Sequence, residues 1–272
     1  MPELPEIKVV TNMLNEHMSG KQIVFASLYC NSKLKCNPEN LPYRLIDRTV
    51  REVKQKGKYI LINLDEGCWV VHLMLTGELI CTNVSKGMPP YTKMGVLLND
   101  NLIVAYADQL NYGRHWLFDN EASIDIKGYL NQGPEPFDKT FTTDYLSRRL
   151  CLAGSTTIKE FLLNQENFAG VGNTYADEIL YNMRVLPPTA SSALIPKAQE
   201  LLNAIQQVLE DACTQNEMTF EEYCNQSVHD FPSMKHVKCY GHYGQKCPRC
   251  GNTFLKTRVG GKVTCYCPSC QT

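Results

Sequence analysis

Apolar residues recur at Ile7, Val10, Leu14 and Met18, the spacing of one helix face, and Gly20 ends the run. This predicts a helix from Pro5 to Met18. The period then changes. Short β-branched or aromatic runs at Ile23 to Tyr29, Val50 to Lys54, Tyr59 to Leu64, Cys68 to Leu73 and Gly77 to Thr82 alternate with turn residues. Residues 95–104 read as a hairpin turning at Asn99 and Asp100. Closely spaced strands over about 120 residues predict a β-sandwich. The stiff segment Gly133-Pro134-Glu135-Pro136 interrupts both periods and marks a boundary. Beyond it the pattern is helical, at Tyr145 to Leu152, Thr157 to Asn164, Tyr175 to Met183 and Leu194 to Cys213.

Between the second and third of these helices lies Asn167-Phe168-Ala169-Gly170-Val171-Gly172-Asn173. Its two glycines allow a tight reversal, and Asn173 or Thr174 is an acceptable N-cap for the helix that follows. A helix N-terminus behind a glycine turn suits an anion, and a helix–two-turn–helix of this kind would grip a DNA phosphate. The fold class expected is therefore α+β and multidomain. A helix precedes an N-terminal β-sandwich at 1–133, a helical domain with the helix–two-turn–helix occupies 134–237, and a zinc ribbon closes the chain at 238–272.

The ribbon rests on cysteine spacing. Cys247-Pro248-Arg249-Cys250 and Cys267-Pro268-Ser269-Cys270 are two CxxC pairs separated by 16 residues. Four thiolates at this spacing close a tetrahedral shell around one structural zinc, with no open position for catalysis. The chain has 13 cysteines, which leaves Cys30, Cys36, Cys68, Cys81, Cys151, Cys213, Cys224, Cys239 and Cys265 scattered and odd in number. With no signal peptide ahead of them, they point to a reducing, cytoplasmic compartment.

Charge adds a partner. From Lys235 to Thr272 there are five lysines, two arginines and no acidic residue, so this stretch carries +7 within a chain total of −1. Four zinc-bound thiolates would lower it to about +5. A compact basic ribbon on an acidic body is what a phosphate backbone asks for. At 272 residues and 43% hydrophobic content the chain can bury a sizeable core. No apolar run approaches the roughly 18 residues of a membrane span. Nothing demands more than a monomer.

Candidate chemistry sits at the other end, in Met1-Pro2-Glu3-Leu4-Pro5-Glu6. Removal of Met1 would make Pro2 a secondary amine, with a pKa near about 8 against about 10.4 for lysine. Attack by such an amine on an aldehyde carbon gives an iminium, an electron sink for covalent catalysis. Glu3 and Glu6 lie close enough in sequence for proton transfer. A proline at a helix start with two dipole-favoured acids fits the same six residues and is slightly preferred on them alone. The basic ribbon reverses that preference.

The opening hexapeptide, the segment Gln165-Glu166-Asn167-Phe168-Ala169-Gly170-Val171-Gly172-Asn173-Thr174-Tyr175-Ala176-Asp177-Glu178 and the ribbon together resemble the formamidopyrimidine-DNA glycosylase / endonuclease VIII family. Leu4 leans to the formamidopyrimidine branch. The resemblance implies a bifunctional DNA glycosylase and abasic-site lyase of base excision repair, acting on double-stranded DNA near the nucleoid. Pro2 would attack C1′ of an everted nucleotide, Glu3 would serve as general acid/base, and β- and δ-elimination would follow. By the same correspondence Lys58 contacts the phosphate near the reaction centre, Lys159 occupies a further phosphate position, and Glu6 and Glu178 support the site. Asn173, after Gly172, meets the DNA backbone.

His72-Leu73-Met74-Leu75-Thr76-Gly77 resembles the family's wedge loop, with Leu75 as the intercalating residue and Tyr112 where an aromatic stacks. Two positions depart from the pattern. Leu110 stands where the formamidopyrimidine branch has an arginine reading the orphaned cytosine, which puts a preference for cytosine in doubt. Lys262 replaces a phosphate-clamping arginine at the ribbon hairpin and loses the bidentate fork. Residues 225–237 do not resemble the longer loop that covers 8-oxoguanine, and His229, Asp230 and Phe231 line either a different pocket or a solvated loop. An altered lesion spectrum is therefore expected. The alternatives are a damage- or abasic-site-binding protein with little base excision, and a non-repair zinc-ribbon DNA binder.

Overall fold

The computed structural model describes residues 1–29 and 34–272, and Cys30 lies outside them. The chain forms two compact units, Met1–Leu130 with Asn216–Phe231, and Asn131–Gln215 with Pro232–Thr272.

The first unit opens with α1 (Leu4–Met18), whose N-cap Glu3 forms a capping box with Glu6. Its buried face is the predicted one: Ile7, Val10, Leu14 and Met18 are all at most 1% exposed. Then follow β1 (Ile23–Leu28), β2 (Cys36–Asn37), α2 (Leu41–Leu45), β3 (Val50–Lys56), β4 (Tyr59–Leu64), β5 (Cys68–His72), β6 (Gly77–Asn83), β7 (Thr92–Leu98), β8 (Leu102–Asp108), β9 (Arg114–Phe118) and α3 (Lys127–Leu130).

The strands make two sheets, in the orders β1-β7-β8-β6 and β2-β9-β5-β4-β3. Ile60, Ile62, Trp69 and Val71 enter the core shared with β1, β7, β8 and α1. Leu61, Cys68 and Val70 point the other way, under Ile124 and Tyr129. Burial on both faces is why β4 and β5 read as continuous apolar runs instead of alternating ones. Each such side chain removed from water contributes about 1.5–3 kcal/mol. The hairpin between β7 and β8 turns through Asn99, Asp100 and Asn101, with Asn101 at φ 69 and its N–H bonded to Leu98 O at 3.0 Å.

In the second unit, α4 (Thr143–Ala153) and α5 (Ile158–Leu163) are capped by the hydroxyls of Thr142 and Thr157. Helix α6 (Asn173–Met183) starts one residue earlier than the capping rule suggests. Its N-cap is the extended Gly172, not Asn173 or Thr174, because the Asn173 amide is used elsewhere. The helix expected from Leu194 is in two parts, a 3₁₀ segment Ser191–Lys197 followed by α7 (Ala198–Gln215). Pro196 within that segment has no N–H to give to an α-helical ladder.

The chain then returns to the first unit. In α8 (Phe220–Asn225), Tyr223 donates to Leu79 O, and Phe220 stacks on His17 with ring centroids 3.5 Å apart. Tyr223, Val228 and Phe231 join the first unit's core. Residues 216–231, grouped by the sequence pattern with the helical domain, therefore pack on the strands. The aromatic residues of a short segment show that it is buried, but not against what.

The second unit ends with α9 (Pro232–Lys235) and the antiparallel hairpin β10 (Leu255–Val259) and β11 (Lys262–Tyr266). Among the described residues no helix is long and apolar enough to cross a membrane.

Candidate active site

The capping box does more than start α1. Glu3 N–H donates to Glu6 Oε2 at 2.9 Å, and Glu6 Oε1 lies 3.5 Å from the Asn216 amide. The Gln55 amide donates to Leu4 O at 3.1 Å and to Gly57 O at 2.8 Å, tying the helix start to the two-residue β3–β4 turn. Gly57 takes φ 58 in that turn, which a side chain would resist, and Lys58 follows it. Pro2, Glu3, Glu6 and Lys58 are consequently all buried, the last three at 2%, 2% and 6% exposure. Burial holds the N-terminal ammonium below its ordinary range. Glu3 and Glu6 act in the opposite direction, and Lys58 lowers it further. Four residues far apart in the alphabet of chemistry thus meet around one amine.

Two neighbouring loops of the same unit carry exposed apolar side chains, Leu75 at 49%, Leu110 at 51% and Tyr112 at 44%. Asp108, wholly buried, organises both loops. Its carboxylate accepts from Thr76 Oγ1, from Tyr106 OH at 2.7 Å, from Asn111 N at 3.0 Å and from Gly113 N at 2.8 Å. Thr76 Oγ1 in turn accepts from Leu110 N at 3.1 Å. Met74 and Asn111 adopt φ 55 and 54, strained values fixed by these bonds. His72 Nδ1 accepts from Met74 N at 3.1 Å, and burial pushes its pKa down to about 4, so the ring is a neutral loop anchor.

In the second unit Lys159 departs from the sequence expectation. It is 0% exposed, bonded to Asn173 O at 3.1 Å and ion-paired with Asp177, so it does not present its ammonium to solvent as a phosphate contact would. Asp177 also accepts from Cys265 N at 3.0 Å, and burial pushes its pKa up to about 6 against the pull of Lys159. The Asn173 amide donates to Val263 O at 2.9 Å, while its Oδ1 is buried without a partner among the described residues. Glu178 accepts three backbone N–H groups, of Lys238, Cys239 and Tyr240, at 2.8 to 2.9 Å. Helix α6 therefore holds the ribbon at both its entry and its hairpin. Lys262 is exposed at the hairpin tip, where a Cβ on Gly260 would come within 2.6 Å of Glu160 Cγ. No local pattern distinguishes the buried Lys159 from a surface lysine, which is why sequence reading misplaced it.

The sulfurs of Cys247, Cys250, Cys267 and Cys270 all lie within 4.8 Å of one another. Cys247 and Cys270 are 3.9 Å apart and Cys250 and Cys267 3.5 Å. Tetrahedral zinc with Zn–S near 2.3 Å requires sulfurs about 3.8 Å apart, so the donor set fits. These four residues hold one structural zinc.

A sandwich unit with a buried N-terminal cluster, a helix–two-turn–helix and a four-cysteine zinc finger define the class of zinc-finger DNA glycosylases. Residues 1–115 match the formamidopyrimidine-DNA glycosylase N-terminal domain, 132–223 the H2TH domain of the same enzymes, and 244–272 the zinc finger found in FPG and IleRS. The chain is 31% identical over 275 residues to the formamidopyrimidine-DNA glycosylase of Pelotomaculum thermopropionicum, covering 100% of this chain and 99% of that one. It is 30% identical to the enzyme of Desulforamulus reducens, with the same coverage. The structure of Lactococcus lactis Fpg with abasic-site DNA superimposes with a TM-score of 0.86 at 25% identity, covering 99% of each chain. A variant of that enzyme bound to DNA containing Fapy-dG gives 0.86 at 26% identity and the same coverage. The chain belongs to the formamidopyrimidine-DNA glycosylase family, whose members are base-excision-repair glycosylases.

Proposed function

We propose that this chain is a bifunctional DNA glycosylase and abasic-site lyase acting on damaged double-stranded DNA. The observation that carries the reading is the convergence of Pro2, Glu3, Glu6 and Lys58 on a buried amine of depressed basicity. Excision of Met1, 45% exposed, transfers that amine to the buried Pro2. A neutral secondary amine there attacks C1′ of an everted nucleotide, the C1′–base bond breaks, and ring opening leaves an iminium. Glu3 moves the proton between amine and ring oxygen, and Lys58 offsets the charge of the adjacent phosphate. The iminium acidifies C2′ and then C4′, so β- and δ-elimination release the strand on both sides.

Leu75, Leu110 and Tyr112 form the wedge that fills the vacated stack. Because Leu110 has no donor for a base edge, opposite-base preference is weak and the lesion spectrum shifts from 8-oxoguanine opposite cytosine toward formamidopyrimidines, oxidised pyrimidines or abasic sites. In the second unit, Lys262 and the Gly172–Asn173 turn meet the phosphate backbone, with Glu178 and the buried Lys159 holding them in place. The relatives bound to abasic-site and Fapy-dG DNA support this reading.

The test is a panel of end-labelled duplexes carrying one lesion each. Strand scission leaving phosphates at both ends, with 8-oxoguanine opposite cytosine not the fastest substrate, is the expected result. Binding to the same duplexes with no scission would favour a damage-binding protein.

A further inference from the structure

Where α8 meets β6, two cysteines come together. The buried Tyr223 hydroxyl donates to Leu79 O, and Ser227 Oγ, just beyond the helix, donates to Glu78 Oε1 at 2.6 Å. Leu79 and Cys81 stand two apart on β6 and face the same core. Cys224, next to Tyr223, packs into that core from α8. Cys81 is 0% exposed and Cys224 is half-buried, and their thiols are hydrogen-bonded to each other. Both are free thiols, and neither belongs to the N-terminal cluster or to the zinc shell.

The two sulfurs are unequal. The Cys81 S–H donates to Cys224 and, with the charge of Lys86, holds that thiol below its ordinary range against its own partial burial. The same bond, and then burial, raise Cys81. Cys224 is therefore the thiol that ionises and that solvent reaches, with Cys81 shielded behind it. An accessible thiolate beside a second thiol is the arrangement that captures a peroxide and then resolves it.

We propose that Cys81 and Cys224 form a peroxide-oxidisable dithiol whose disulfide fastens α8 to β6. The Cys224 thiolate attacks one peroxide oxygen, the O–O bond breaks, and hydroxide leaves to take up the Cys224 proton as water. Cys224 is then a sulfenic acid. The Cys81 sulfur displaces its hydroxyl, which departs with the Cys81 proton as a second water, and the S–S bond forms. Two thiols have lost two electrons and one peroxide has gained them. The chain leaves the first unit after Leu130 and re-enters it at Asn216, so this bond closes covalently the whole excursion through the second unit. A cross-link over so long a loop stabilises by constraining the unfolded chain. The chemistry needs no DNA and stands apart from the base-excising reaction proposed above.

For the test, zinc-loaded protein is treated with hydrogen peroxide, its remaining thiols are alkylated, and its peptides are mapped by mass spectrometry without reduction. A Cys81–Cys224 cross-linked peptide from at least about half of the chains is expected at a dose that leaves the zinc bound, and dithiothreitol should reverse it. In the cross-linked form, amide exchange across residues 220–225 should slow at least about tenfold. Cys81→Ala lacks the resolving sulfur, so dimedone should label a Cys224 sulfenic acid in it at least about tenfold above wild type. Loss of zinc while Cys81 and Cys224 can still be alkylated, or a disulfide from Cys224 to another cysteine, would overturn the proposal. So would a cross-link that leaves exchange at α8 unchanged, or an unlabelled Cys224 in Cys81→Ala.

Discussion

Replacing Lys159 by methionine removes a buried cation but keeps most of its packing, and the consequence depends on pH in a calculable way. In the wild type Asp177 has its pKa pushed up to about 6, above its ordinary value near 3.8, by burial that Lys159 only partly offsets. A carboxyl raised in the folded state stabilises most below its unfolded pKa, and that contribution is lost as pH rises through the folded one. Without the ammonium the folded pKa moves higher still, since among the described residues the Cys265 N–H is what remains to favour the anion. Above pH 6 the variant then holds a proton that the wild type has released. Each pH unit up to the variant's own pKa adds about 1.4 kcal/mol to the difference in stability, at most about 2.7 kcal/mol between pH 6 and pH 8. That ceiling lies just below the roughly 3–5 kcal/mol typical of breaking a buried pair. Urea unfolding followed by helix circular dichroism at both pH values measures it. A difference that does not change with pH, or stays below about 0.5 kcal/mol, would refute the reasoning.

Two further outcomes follow from the zinc site and the wedge. Chelation, or Cys250→Ser, should reduce zinc from one ion per chain to none and strip hydrogen-exchange protection from β10 and β11, while a zinc-free ribbon of unchanged protection would contradict a structural metal. Leu110→Arg should create a preference of about tenfold or more for cytosine opposite the lesion, where wild type discriminates by about threefold or less; a wild type already selective for cytosine would defeat the argument from leucine.

Much of this fold was legible because period alone specified it. The face of α1, the runs at β4 and β5, and the paired CxxC knuckles each encode burial or ligation locally. The strand β9 was missed because its residues are mostly half-exposed and do not alternate. Helix α2 is too short for a period to register. At the site, the residues of the opening hexapeptide were readable as chemistry, but their assembly with Lys58 depends on Gln55 bridging Leu4 O and Gly57 O. Lys159 was misplaced because its burial is decided by Asp177, a partner on another helix.

The central claim is that an amine at Pro2 is the nucleophile. Borohydride reduction of the protein on a duplex containing one abasic site, followed by mass spectrometry of the adduct, tests it directly. The account predicts a processed N-terminus, a covalent adduct carried on Pro2, and its loss in Pro2→Gly. An adduct on a lysine, or none from a protein with Pro2 exposed by processing and DNA bound, would contradict it.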